Sequence, residues 1–279
     1  MMQHYLCIVL AALLAGGGGI AADAQVPDPA ATVAPPEDAA ALAKKLSNPL
    51  ASLISVPLQF NYDGDIGPAR AGNRVTLNIQ PVAPFKLSAD WNLISRTILP
   101  VVSQNEIAPG TGNQFGLGDT VQSLFFSPAV PKDVIWGVGP VFLVPTGTDK
   151  LLTGGKWGGG PTGVVLKQAG AWTVGALANH IWSFAGDSSR NNISTTFVNP
   201  FISHTSKSAF TYGVALDIVY DWKNDRWTVP ATLSISQLTK IGGQLISVGA
   251  GLRYYVATNE FSPHGVAGRF TLTLLFPKK

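Results

Sequence analysis

The feature that most constrains this chain is a two-residue alternation of apolar and polar side chains, which recurs in segments from Ser52 to the C-terminus. In the first segment Ile54, Val56, Leu58, Phe60 and Tyr62 share one face, with Ser55, Gln59 and Asn61 on the other. Tyr212, Val214, Leu216, Ile218 and Tyr220 stand opposite Thr211, Asp217 and Asp221 in the ninth. The tenth sets Trp227, Val229, Ala231, Leu233 and Ile235 against Thr228, Thr232, Ser234 and Ser236. In the last, Phe270, Leu272, Leu274 and Phe276 oppose Arg269, Thr271 and Thr273. Successive strand Cβ atoms point to opposite faces, so this period builds a sheet with one apolar face and one polar face. The spans are 52–61, 74–81, 88–99, 117–127, 134–145, 157–167, 171–184, 194–204, 209–222, 226–238, 244–257 and 268–277. Each is close to the 9–11 residues that a tilted strand needs to cross a bilayer, and their number, about twelve, suits an outer-membrane barrel. The third, fourth and eighth alternate poorly, and their facing stays open.

A soluble sandwich shares this period; connection length separates the two. The connections 62–73, 100–116, 146–156, 185–193 and 258–267 are long, while 82–87, 128–133, 168–170, 205–208 and 239–243 are short. Only 223–225 breaks the alternation. Long and short loops taking turns by side is the asymmetry of an outer-membrane barrel, and an even strand count leaves both termini on the periplasmic side. Trp91, Trp136, Trp157, Trp172, Trp182, Trp222 and Trp227 fall near segment ends, as two interfacial girdles require. Only 13% of residues are charged, yet beyond the N-terminus no apolar run is long enough for a membrane helix. The expected fold is all-β: a transmembrane, antiparallel up-and-down β-barrel of about twelve strands with a short N-terminal helical lead-in.

Residues 1–24 read as a signal peptide, with an apolar stretch over Leu6–Leu14 and an A-x-A cleavage site at Ala22-Asp23-Ala24. Its first residues carry neither Lys nor Arg. Residues 25–51 form a periplasmic leader, Pro- and Ala-rich at first, then helical over 37–46, with acids in the first turn and lysines in the last. That helix is either a simple lead-in or a partial plug inside the barrel, which occupies 52–279. Cys7 is the only cysteine, so the mature chain has no disulfide or thiolate chemistry. Removing Asp23 leaves a net charge one unit above the whole chain's +3, scattered along the sequence, so no nucleic acid is implied. The expected surroundings are outer-membrane lipid and lipopolysaccharide.

Chemistry is sparse. No G-x-S-x-G, no H-E-x-x-H and no histidine pair at metal-ligand spacing occurs, so neither a cofactor nor a metal is expected. His180, on a strand near Ser183, is the best placed base, although a lone strand histidine is more often structural or interfacial. The glycine run 154–160 lacks the phosphate-loop pattern and reads as an outer loop. Gly116-Leu117-Gly118-Asp119 reads as a tight turn that Asp119 caps or from which it faces the pore, with no second carboxylate nearby in sequence to complete a calcium site. The more informative set is charge on strand interiors: Asp90, Arg96, Lys167, Asp217, Asp221, Arg253 and Arg269. Facing lipid would cost such residues a few kcal/mol, so they are the pore-lining candidates. They either pair into a filling network or line an open pore. Both signs are present, so strong ion selectivity is not expected.

Several pieces then follow one another in order: Asn48-Pro49 with Leu53-Ile54-Ser55-Val56-Pro57; Gly116-Leu117-Gly118-Asp119; Trp136-Gly137-Val138-Gly139-Pro140; Pro145-Thr146-Gly147-Thr148; and Lys156-Trp157-Gly158-Gly159-Gly160-Pro161. Together they resemble the outer-membrane barrel family named after the meta-pathway of phenol degradation, over about Leu42 to Phe276. The resemblance implies an outer-membrane barrel that takes up aromatic or other apolar compounds, and it transfers no catalytic residue. The last strand also resembles the outer-membrane C-terminal signal read by the barrel-assembly machinery. Phe276, Leu274 and Leu272 match it, but Pro277-Lys278-Lys279 follow. The function expected first is passive passage of small molecules. The alternatives are a lipase- or protease-type barrel, which predicts a His-Ser or His-Asp pair at the rim, and a structural barrel without conductance.

Overall fold

The computed structural model describes residues 36–276; the expected signal peptide, the first part of the leader and the last three residues lie outside that range. After helix α1 (Pro36–Leu46) come β1 (Ile54–Ile66), β2 (Gly72–Ile79), β3 (Val82–Lys86), β4 (Trp91–Asn105), β5 (Asn113–Leu117), β6 (Thr120–Pro128) and β7 (Val134–Val144). Then follow β8 (Lys156–Ala169), β9 (Trp172–Gly186), β10 (Ser194–Thr205), β11 (Phe210–Leu216), β12 (Ile218–Asp221), β13 (Arg226–Ile241), β14 (Gln244–Ala257) and β15 (Val266–Phe276). Three pairs are single strands with a local break: β2 with β3, β5 with β6, and β11 with β12. β11 and β12 keep one register on β10, Phe201 facing Ala215 and Val198 facing Ile218. Their break at Asp217 lies opposite Pro230, which has no N–H to donate. The result is a closed antiparallel barrel of 12 strands, sealed by β15 on β1 from Ile54–Phe276 to Tyr62–Gly268.

The faces follow the alternation. Phe60, Tyr62, Tyr212, Val214, Leu233, Ile235, Phe270 and Phe276 are exposed on the outside, while Ser55, Asn61, Thr232 and Thr273 are buried on the inside. The seven tryptophans are all exposed and form two belts. Trp91, Trp136 and Trp172 stand at the short-turn end, and Trp157, Trp182, Trp222 and Trp227 at the long-loop end. Trp172 and Trp182 sit on the same face of β9. Their separation is roughly 33 Å along the strand at about 3.3 Å per residue. A tilt of about 40° reduces this to roughly 25 Å, the height of an outer-membrane apolar band.

Strand ends differ from expectation. β1 runs on to Ile66 and β4 to Asn105, so the connections expected over 62–73 and 100–116 shrink to 67–71 and 106–112. Above the belts the outer face needs no apolar residues, so the alternation fades while the ladder continues. Its inner face stays polar: Gln104, 2% exposed, donates to Gln114 at 3.0 Å.

The poorly alternating strands also find their cause. Ile94, Phe125, Val164, Leu166 and Leu177 all point inward and pack around Leu50, with Val82, Phe197 and Phe201 against them. Strands β4, β6 and β10 therefore carry apolar residues on both faces, and this erases the binary pattern. Elsewhere strand packing demands glycine. A Cβ on Gly160 would lie 1.8 Å from the His180 carbonyl oxygen, whereas one on Gly163 would make only ordinary contacts, with Val138 Cγ1 at 3.5 Å and the Gly137 carbonyl oxygen at 3.7 Å. Gly160→Ala is expected to abolish the heat-modifiable folded band on refolding, and Gly163→Ala to keep it. Equal behaviour of the two would remove this account of the glycine run.

Candidate functional site

The interior of the barrel divides into two walls. One is the apolar cluster around Leu50. The other is a charged network from β1, β2, β14, β15 and the β11–β12 break. Arg253 and Asp63 form a sealed pair at 2.7 Å, their side chains 8% and 10% exposed. Tyr255 donates its hydroxyl to the same Asp63 oxygen at 2.7 Å. Arg269 donates through Nε to Asn61 Oδ1 at 2.8 Å and through Nη2 to Asp217 Oδ2 at 3.2 Å, reaching across β13 and β14. Asp217 also accepts from Asn199 at 2.9 Å and lies 4.0 Å from Arg253 Nη2. Neutral amides extend the wall: Arg96 donates to Gln80 at 2.8 Å, Gln80 to Gln59 at 3.1 Å, and Arg74 to Gln104 at 2.9 Å. Parity explains the gathering, because Asn61, Asp63, Arg253, Tyr255 and Arg269 all fall on inward positions of neighbouring strands.

Between the walls lies a cavity of about 680 Å³, lined by the charged Asp63, Arg96, Asp217, Arg253 and Arg269 and by the apolar Val82, Leu177, Phe197 and Phe201. Its floor is the leader. α1 packs Ala39, Leu42, Ala43 and Leu46 onto Ala209, Leu238 and Leu275 at the short-turn end, and Gln168 donates to the Lys44 carbonyl at 3.0 Å. Asn48 accepts from the Leu50 amide at 2.9 Å, turning the chain so that Leu50 enters the apolar cluster. The plug, rather than the simple lead-in, matches this placement of the helix.

Of the charged residues picked from sequence, Arg96, Asp217, Arg253 and Arg269 meet in this cavity. The structure places the other three elsewhere. Asp90 is exposed in the turn between β3 and β4, because β4 begins only at Trp91. Lys167 is exposed on the outer face of β8, between Val134 and Val174 in register. It stands near the short turn, where its stem lies on apolar surface and its amine reaches water. Asp221 caps its own hairpin, accepting from the Lys223 amide at 2.9 Å and from Asn224 Nδ2 at 2.6 Å. Alternation alone could not separate these from the lumen set: Lys167 has lumen-like polarity at an interfacial height, and Asp90 and Asp221 serve turns. Asp63, Arg74 and Tyr255 were missed. Asp63 sits two residues past Asn61 on the same inward face, so extending the first strand would have found it.

The ordered motifs meet in space. Asp119 accepts from the Gly147 amide at 3.2 Å, the Thr153 hydroxyl at 2.6 Å and the Gly154 amide at 2.7 Å, tying the longest outer loop to the β5–β6 break. Gly137 faces Leu50, whose methyl carbons would lie 3.1 Å from a Cβ there. His180 points outward in the long-loop belt, packed against Trp182 at 4.1 Å between ring centres with the ring planes tilted by 45°. Its Nδ1 is 2.7 Å from Thr196 Oγ1 and its Nε2 3.3 Å from Ser194 Oγ. Ser183, its neighbour in sequence, binds the Ile193 amide instead. Among the described residues no group of His, Cys, Asp or Glu is arranged to hold a metal ion.

No family model matches the sequence, and no curated protein does. Solved structures do match. An outer-membrane channel from Pseudomonas putida F1 aligns with a TM-score of 0.64 at 14% identity, covering 81% of this chain and 96% of that one. The NanC porin aligns at 0.48 and 12% identity, covering 81% and 100%. Outer membrane phospholipase A from Escherichia coli aligns at 0.46 and 9% identity, covering 81% and 99%. The first of these likenesses shows the fold of outer-membrane barrels.

Proposed function

We propose that this chain is a channel of the Gram-negative outer membrane, through which small solutes, apolar or aromatic ones among them, pass passively. The observation that carries this is the cavity of about 680 Å³ between two tryptophan belts, inside a wall whose outer face is apolar. We also assign it to the barrel family named after the meta-pathway of phenol degradation, on the ordered motifs that position Leu50 and the outer loop. Export by the N-terminal signal, contact with lipid and lipopolysaccharide, and assembly through Phe276 belong to the same proposal. Reconstitution of the purified barrel in planar bilayers is expected to give discrete single-channel steps in KCl. Silence from both the full chain and a variant lacking its leader would overturn the channel.

The lipase-type alternative has one observation in its favour, the pairing of His180 with Ser194. Against it, Ser194 is only 8% exposed beneath the belt aromatics, and Thr196, which faces His180 Nδ1, already accepts from Trp222 Nε1 at 2.8 Å. Among the described residues the imidazole bonds Thr196 and Ser194 and no carboxylate, whereas a nucleophilic triad requires one to orient it. The pair serves as a polar anchor within the aromatic belt. The purified barrel is therefore expected to release no fatty acid from phospholipid or ester substrates. Turnover that vanishes in Ser194→Ala would reinstate the enzyme.

A further inference from the structure

Building on the channel proposed above, we infer that the cavity is a binding subsite for small organic carboxylates that carry an apolar or aromatic body.

The first ground is charge. In the network, the guanidiniums of Arg74, Arg96, Arg253 and Arg269 share two carboxylates, Asp63 and Asp217. Asp63 is committed to Arg253, and Asp217 to Arg269. Arg96 has Gln80 as its hydrogen-bond partner and feels Asp217 only electrostatically, so its positive charge is not matched by a carboxylate of its own. A guanidinium in a partly dry cavity without a paired anion is a ready carboxylate receptor, and the bond formed is charge-assisted.

Unused polar atoms give independent support. Arg253 Nε and Thr232 Oγ1 are buried and lack any hydrogen-bond partner. The two residues face each other in register on β13 and β14, are 7% and 3% exposed, and both line the cavity. A buried polar atom without a partner costs free energy until something supplies the bond. Both orphans can donate, and a carboxylate provides the acceptor that each lacks.

Shape supplies the third ground. Leu177 on β9 and Phe197 and Phe201 on β10 line the cavity four and five strands round the closed wall from Arg96 on β4, and Val82 stands beside Arg96 in register. A solute held by its carboxylate on the arginine wall lays its hydrocarbon body on these residues. Inorganic anions bury no hydrocarbon on the apolar residues, and neutral aromatics form no charge-assisted bond with the arginines, so full affinity rests on having both parts. Asp90, in the turn before β4, and Asp221, at the end of β12, lie outside the cavity, while Arg96, Arg253 and Arg269 line it.

The probe is sodium benzoate, with acetate and benzyl alcohol as half-probes. Two measurements are made on the full-length barrel: calorimetric titration in detergent, and single-channel current in bilayers under a KCl gradient. Benzoate is expected to bind and to reduce the current, acetate and benzyl alcohol to bind far less, and the reversal potential to favour chloride. Arg96→Gln, which removes no ion pair, is expected to weaken benzoate about tenfold, the equivalent of one charge-assisted bond. Phe201→Ala should weaken benzoate while leaving acetate unchanged. Both variants are checked for the heat-modifiable folded band. Channel steps that benzoate leaves untouched, with no calorimetric signal, overturn the subsite and leave the channel standing. Benzoate binding without conductance overturns the channel and keeps the subsite. Equal affinity for benzoate and benzyl alcohol, or full affinity in folded Arg96→Gln, also overturns the subsite.

Discussion

Removing residues 36–50 should raise single-channel conductance roughly threefold or more, because a helix about 10 Å wide then leaves the short-turn mouth. The segment is held by side chains and not by the ladder. Ala39, Leu42, Ala43 and Leu46 rest on Ala209, Leu238, Leu245 and Leu275, and Leu50 enters the cluster of Ile94, Phe125, Val164, Leu166 and Leu177. Closure of the barrel depends on the pairing of β15 with β1 from Ile54 onward, outside the removed residues. The barrel should therefore keep its folded band while its mouth widens. A point change separates displacement from deletion. Leu50→Glu places a carboxylate in an apolar site where Leu50 is only 6% exposed. Unpaired burial of that charge costs several kcal/mol, enough to expel the turn, and longer open times follow. Unchanged conductance in the deletion, or unchanged gating in Leu50→Glu, would show that the leader does not obstruct passage.

The second large effect concerns the sealed pair. Asp63→Ala is expected to lower the unfolding free energy by about 3–5 kcal/mol, because it strands a guanidinium without its partner. Arg253 is 7% exposed, its Nη1 donates to Asp63 at 2.7 Å, and its Nε has no partner at all. Tyr255 would lose its acceptor in the same change. Asp63→Asn with Arg253→Gln removes both charges together, and most of the loss should return. Denaturant unfolding of the refolded barrel, followed by tryptophan emission, measures both. A shift below about 1 kcal/mol in Asp63→Ala would mean that water reaches the pair and that it behaves as a surface ion pair.

These expectations draw on different depths of information. Strand number, strand facing at Tyr62, Tyr212 and Phe270, and the belts at Trp172 and Trp182 were legible in the sequence. Each depends on a residue's parity and its height in the strand, and both are local properties. Half of the charged site was legible for the same reason, since Arg253 and Arg269 alternate cleanly with Leu252 and Phe270. Asp90 and Asp221 were misplaced because a turn and a strand end look alike in charge, and only backbone pairing distinguishes them. Lys167 was misplaced because inward polarity and interfacial polarity are the same signal in one dimension.

Alternation by itself determined a one-sided sheet long enough to cross a bilayer, and loop parity separated a short-turn end from a long-loop end. Those follow from two-fold strand geometry and need no knowledge of partners. What the lumen contains was decided only by closure of the barrel. Closure brings Asp217 of the β11–β12 break across to Arg269 of β15, far apart in the chain, and turns the apolar inner faces of β4, β6 and β9 onto Leu50. Two walls and a leader between them arise from contacts remote in sequence, and those contacts depend on which strands the closed circle sets opposite one another.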